Sequence, residues 1–154
     1  MSLDRAWIEC HIPHSGPMCL LDEVLLWDAN RAQCRSTTHR LIDNPLRADG
    51  RLGATCGIEY AAQTMAVHGA LVAEAAGDSA PVGMLASVRN VSLNVDRLDE
   101  LETDLVTTVQ RVASDAMTAL YEFSVSGGAL VLLRGRAAIA FNLLHRPLAA
   151  IPSP

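Results

Sequence analysis

Along residues 82–95 apolar and polar positions alternate, and the alternation changes phase: Val82, Met84, Ala86 and Val88 share one parity, Val91, Leu93 and Val95 the other. Alternation at a period of two marks a half-buried strand. The change of phase near Arg89-Asn90 predicts a bulge or bend in one long strand, because a single extra residue turns every later side chain to the opposite face. Residues 101–112, 117–124 and 129–141 read as further strands, with turns at Ser114-Asp115 and Gly127-Gly128. In the last strand Val131, Leu133, Ala137, Ile139 and Phe141 fall on one face, and Leu132, Arg134, Arg136 and Ala138 on the other.

The pattern upstream is of another kind. Residues 56–76 contain no proline, and Ala61, Ala62, Met65, Ala66, Ala70, Leu71, Ala73 and Ala75 give them strong helix propensity. They predict a helix roughly 30 Å long at ~1.5 Å per residue, capped by Thr55 and stopped by Gly77-Asp78 and Pro81. Small residues all round it imply a helix enclosed by other elements, since small side chains let a sheet approach closely. Before it, segments 20–27 and 31–38 flank the turn-prone Asp28-Ala29-Asn30 and read as a hairpin, and residues 43–53 read as a loop.

A strand pair, a loop, one long helix and consecutive strands define an α+β chain: an antiparallel sheet wrapped around one central helix. The length of 154 residues fits a single domain, with a core over about residues 13–142 and a loose tail over 146–154 that holds three prolines.

Composition sharpens this picture. Half of the residues are hydrophobic and mean hydropathy is +0.21, enough for a packed core, yet aromatics make up only 4%, so aliphatic and alanine side chains must fill it. The surplus of apolar surface suggests a subunit interface, with a homodimer as the default. A net charge of -5 with scattered basic residues excludes the positive face that a nucleic acid needs. Cys10, Cys19, Cys34 and Cys56 stand apart with no metal-ligand spacing and read as reduced thiols. No apolar leader or membrane-length run appears in the sequence, and the expectation is a cytoplasmic protein without metal.

Two stretches carry candidate chemistry: Pro13-His14-Ser15-Gly16-Pro17-Met18-Cys19-Leu20-Leu21-Asp22 and Gly57-Ile58-Glu59-Tyr60-Ala61-Ala62-Gln63. Together they resemble the hotdog-fold 3-hydroxyacyl-carrier-protein dehydratases, in which P-H-x-x-P-x-x-L-x-D precedes the first strand and E-x-x-A-Q starts the central helix. The resemblance is strongest to the ApeP-like dehydratases of aryl polyene clusters, where G-I-E-Y-x-A-Q follows a D-N-P loop, here Asp43-Asn44-Pro45.

Dehydration of a 3-hydroxyacyl thioester needs a base for the C2 proton, a proton donor for the leaving C3 oxygen, and donors facing the thioester carbonyl. The resemblance implies Glu59 as the helical acid. The family's loop histidine, fourteen positions before that acid, falls on Pro45, so the usual partner is missing. His14 is the first candidate to replace it. His68, nine residues on at ~100° each, lies roughly opposite Glu59, whereas Gln63 shares its face. Ala54 takes the place of the family's oxyanion glycine, and the amides of Ala54 to Gly57 are expected to be free helix-start donors.

Bland readings stand beside these. Glu59 can be an ordinary first-turn acid, and His14 a hydrogen-bond donor that fixes the chain before the first strand. His11, His39 and His145 read as solvated, Asp22 as a backbone anchor, and Arg89, Arg134 and Arg136 as surface that an acidic carrier protein would suit. Three functions follow: a 3-hydroxyacyl-thioester dehydratase, a hotdog thioesterase, or a non-catalytic partner subunit of a related dehydratase. The implied substrate rides on phosphopantetheine or CoA, with no further cofactor, and the partner is an acyl carrier protein or a related hotdog chain.

Overall fold

The computed structural model describes residues 2–141, and the tail of residues 146–154 and His145 lie outside them. In chain order the elements are α1 (Arg5–His11), β1 (Glu23–Trp27), β2 (Arg31–Ser36), α2 (Gly57–Ala75), β3 (Gly83–Leu93), β4 (Leu105–Ser114), β5 (Thr118–Gly127) and β6 (Leu130–Phe141). The six strands form one antiparallel sheet in the order β1-β2-β4-β5-β6-β3. α2 packs across β2, β4 and β5. The expected sheet about one long helix is present.

The core lies between them. Tyr60, Ala61, Met65, Val67, Ala70 and Leu71 of α2 are buried against Ala32, Cys34, Leu105, Val109, Ala119, Tyr121, Phe123 and Val125. Each fully buried leucine in this layer contributes about 2 kcal/mol relative to an exposed one. Closeness of approach bears on Gly57: a Cβ there would stand 2.5 Å from Leu133 Cδ2, so any larger residue would make that buried side chain shift where the helix start rests on β6.

The phase change in β3 is a bulge. Its register against β6 shifts between Arg89 and Ser92, and Asn90 adopts a positive φ of 54°. A second shift, between Val125 and Ser126 of β5, falls opposite Leu132, and both Leu132 and Leu133 are fully buried. The sequence reading of Leu132 on the arginine face is therefore corrected, because the bulge turns two consecutive leucines inward.

Two further expectations change. The core does not begin near residue 13: Asp4 caps α1 by accepting from the Trp7 amide at 3.1 Å, and Trp7 and Ile8 are buried in the main core. Thr55 does not cap α2. Ala54–Cys56 form a 3-10 turn that runs straight into the helix, and the residue at the cap position, Cys56, is already helical in backbone and offers no side-chain bond.

Enclosure of α2 is incomplete within one chain. A stripe of Glu59, Ala62, Ala66, Gly69 and Ala73 is only half-buried, and the edge strand β3 leaves Met84, Leu85, Val91 and Leu93 exposed.

Candidate active site

The segment between α1 and β1 carries the first motif. It leaves α1 at Ile12, whose amide donates to the Ile8 carbonyl, and turns at Gly16, where a φ of +57° favours glycine. The second motif forms the first turns of α2, so the contact of the two motifs depends on how this loop is held against the helix.

Gln63 holds it. This fully buried side chain accepts from the Leu20 amide at 2.9 Å and donates from Nε2 to the Met18 carbonyl at 2.8 Å and to Glu59 Oε1 at 3.2 Å. A buried amide so engaged is worth far more than one left unpaired, which would cost about 1 to 3 kcal/mol. One turn earlier on the same face, Glu59 offers the same Oε1 to His14, whose Nε2 lies 3.1 Å away. His14 Nδ1 is buried without a partner. Both side chains keep about a third of their surface exposed, 28% for His14 and 33% for Glu59, so a substrate can reach the pair. His14, Glu59 and Gln63 are thus brought together.

A relay of hydrogen bonds reaches this group from the Asp43-Asn44-Pro45 loop. Asn44 Nδ2 donates to the Tyr60 hydroxyl at 3.1 Å, Tyr60 and Thr38 hydroxyls lie 2.8 Å apart, and Thr38 donates to the Leu20 carbonyl at 2.7 Å. Leu20 is the residue whose amide Gln63 receives. Burial pushes the Tyr60 hydroxyl above its ordinary range, so it stays a neutral donor. Sequence reading missed Thr38, Asn44 and Tyr60, although the last two stood inside the quoted motifs.

The helix-start donors do not lie where they were expected. The Ala54 amide donates to the Asp96 carbonyl at 3.0 Å, the Cys56 amide to Gly53, and the Gly57 amide to Ala54 and Thr55. Ala54 and Gly57 are therefore not free oxyanion donors, because the 3-10 turn and the segment at Asp96 after β3 consume them. Thr55 keeps an amide without a backbone acceptor among the described residues, beside a groove of about 340 Å³ that Leu93, Asn94 and Asp96 also line.

The other candidates separate from the pair. His68 is buried and donates from Nε2 to the Asp28 carbonyl at 3.0 Å, which leaves Nδ1 to accept from Tyr121 at 2.8 Å. His39, expected in solvent, is fully buried with Nε2 3.0 Å from the Leu101 carbonyl. Burial holds both imidazoles below the usual histidine range. His11 is exposed and stacks on Trp7 at 3.9 Å. Asp22 anchors backbone, accepting from the amide and hydroxyl of Thr37 at 2.7 and 2.9 Å. Arg89, Arg134 and Arg136 are exposed, the last paired with Glu122 at 3.0 Å. All four cysteines are free, and burial pushes the Cys34 thiol up to about 12. Among the described residues no group of three or more His, Cys, Asp or Glu side chains converges for a metal, and no helix is long and apolar enough to cross a membrane.

A six-stranded antiparallel sheet on one long helix, with a carboxylate in that helix's first turn, is a hotdog domain. The chain belongs to the ApeP-like family: the family model described as ApeP dehydratase matches residues 7–141. Among curated proteins none matches. Solved structures share the fold. The dehydratase heterocomplex ApeI:P from Xenorhabdus doucetiae superposes with a TM-score of 0.77 at 24% identity, over 88% of this chain and 90% of that one. Zebra fish thioesterase superfamily member 2 gives 0.61 at 13%, over 92% and 99%. The PaaI protein of E. coli, from a phenylacetic acid degradation operon, gives 0.55 at 10%, over 76% and 80%.

Proposed function

We propose that the chain is a 3-hydroxyacyl-thioester dehydratase in which His14 and Glu59 of the same chain form the acid–base pair. The observation that carries this reading is the 3.1 Å separation of His14 Nε2 and Glu59 Oε1. One proton shared by the pair suffices for the reaction. Neutral His14 takes a proton from C2, protonated Glu59 gives its proton to the C3 hydroxyl, and the C3–O bond breaks to release water and leave the enoyl thioester. The ion pair left behind resets when the proton returns from Nε2 to Oε1. His14 thereby stands in for the histidine that Pro45 replaces. The substrate is carried on the phosphopantetheine of an acyl carrier protein or on CoA, and this chemistry calls for no further cofactor.

A second hotdog chain, its own copy or a related dehydratase, would cover the half-buried Ala62, Ala66, Gly69 and Ala73 of α2 and the exposed apolar edge of β3. The heterocomplex among the solved relatives supports the latter partner. A partner-subunit reading, in which the catalytic work belongs to the other chain, is favoured by Pro45 alone.

The test is an assay of the purified protein on 3-hydroxybutyryl and longer 3-hydroxyacyl thioesters of CoA and of a carrier protein. Enoyl absorbance is expected to rise without release of free thiol. Thiol release would make the chain a thioesterase, and turnover only on addition of a related dehydratase chain would make it a partner subunit.

A further inference from the structure

His14 has few polar contacts of its own: its Nε2 meets Glu59 and its Nδ1 is without a partner. The imidazole is therefore placed by the backbone that carries it. That backbone, between Ile12 and Asp22, contains only the short 3-10 turn Gly16–Met18. Gln63 of α2 grips it at Met18 and Leu20. A second grip comes from α1. Arg5 Nη2 donates to the carbonyls of Gly16 at 3.0 Å and Cys19 at 2.6 Å, and Nη1 lies 3.4 Å from the carbonyl of Leu21. Two carboxylates aim the guanidinium, Glu9 Oε1 at 3.2 Å from Nε and Asp22 Oδ1 at 3.5 Å from Nη1.

We propose that Arg5 is a positioning residue for the acid–base pair: by binding three carbonyls of the loop with one rigid fork, it keeps His14 Nε2 within reach of Glu59. This inference rests on the dehydratase reading for its consequence in turnover, but the geometry can be tested without turnover. A planar fork with donors in fixed directions can bridge Gly16, Cys19 and Leu21 at once, whereas a lysine ammonium acts as a point donor. Arg5 touches no group that the reaction would use. Its loss lets the loop drift while the fold, built on α2 and the sheet, stays in place. In turnover, Arg5→Gln is expected to lower kcat about 10- to 100-fold with KM within about twofold, the signature of a misplaced group rather than lost binding.

The deciding experiment reads the histidine rings by NMR in protein labelled with 15N-histidine, with and without Glu59→Gln. In the wild-type background Glu59→Gln is expected to shift the His14 ring signals. In Arg5→Gln, and in Arg5→Lys should the former fail to fold, that response is expected to fall to less than half, while the His39 and His68 signals stay unchanged. An equal His14 response with and without Arg5 would overturn the proposal. So would a His14 ring that ignores Glu59→Gln in the wild type, or equal changes at His39 and His68, which mark general loosening. Dehydration by His14→Ala is a separate measurement, and it decides the acid–base reading alone.

Discussion

Gln63 and Glu59, one helical turn apart, share a hydrogen bond of 3.2 Å, and the same Gln63 nitrogen holds the Met18 carbonyl at 2.8 Å. The amide thus fixes two things at once: the direction of the carboxylate and the path of the loop that brings His14 to it. Substitution separates these roles from mere burial. Gln63→Leu keeps the bulk but strands the Leu20 amide and the Met18 carbonyl. The expected loss is about 2 to 6 kcal/mol at about 1 to 3 for each of the two orphaned groups, or roughly 4 to 24 °C in Tm for a domain of this size. Thermal unfolding followed by circular dichroism checks it, and a Tm within 2 °C of the wild type would mean that the clamp is not formed.

Buried His39 and His68 make stability depend on pH. Burial holds each folded imidazole below the ordinary value near 6.5, so below about pH 6.5 the unfolded chain binds more protons than the folded one. Stability therefore rises with pH through this window and is lost as pH falls toward the folded values, by at most about 1.4 kcal/mol per pH unit for each histidine. Denaturant unfolding between pH 5 and 7.5 should show this slope, and His68→Gln should reduce it. A flat profile, or a slope of opposite sign, would contradict the burial assigned to these rings.

The β3 edge gives a third outcome. Met84 and Leu93 are 53% and 46% exposed, and neighbouring Leu85 and Val91 extend the apolar surface. A second hotdog chain placed there would be lost on introducing charge. Met84→Lys with Leu93→Lys is expected to convert a dimer, alone or with a co-expressed related dehydratase, to a folded monomer by light scattering. A wild-type protein that stays monomeric in both settings would remove the partner from the proposal.

Much of this architecture was legible in the sequence because it is written in long, regular patterns. Ala61 to Ala75 declare a helix through propensity alone, and the parity change around Arg89 located the β3 bulge to within a residue or two. What stayed hidden depends on short or non-local features. α1 is seven residues long, too short for periodicity to speak, although Asp4 ahead of Trp7 and Ile8 was a usable cap signal. Leu132 went to the wrong face because its bulge is set by pairing with β5, which no local pattern records. His39 was expected in solvent because its burial comes from residues some sixty positions away, at Leu101. At the site, the two motifs named His14, Glu59 and Gln63, yet the spending of the Ala54 amide on Asp96 depended on a long-range contact.

The pairing of His14 with Glu59 is tested most directly by kcat for 3-hydroxyacyl-thioester dehydration in His14→Ala, Glu59→Gln and the double variant, each shown to be folded by circular dichroism. Each single change is expected to lower kcat by about 100-fold or more, the usual share of a general acid or base. The double variant should fall little further, because two groups that pass one proton act as a unit. Wild-type turnover in either single variant would contradict it.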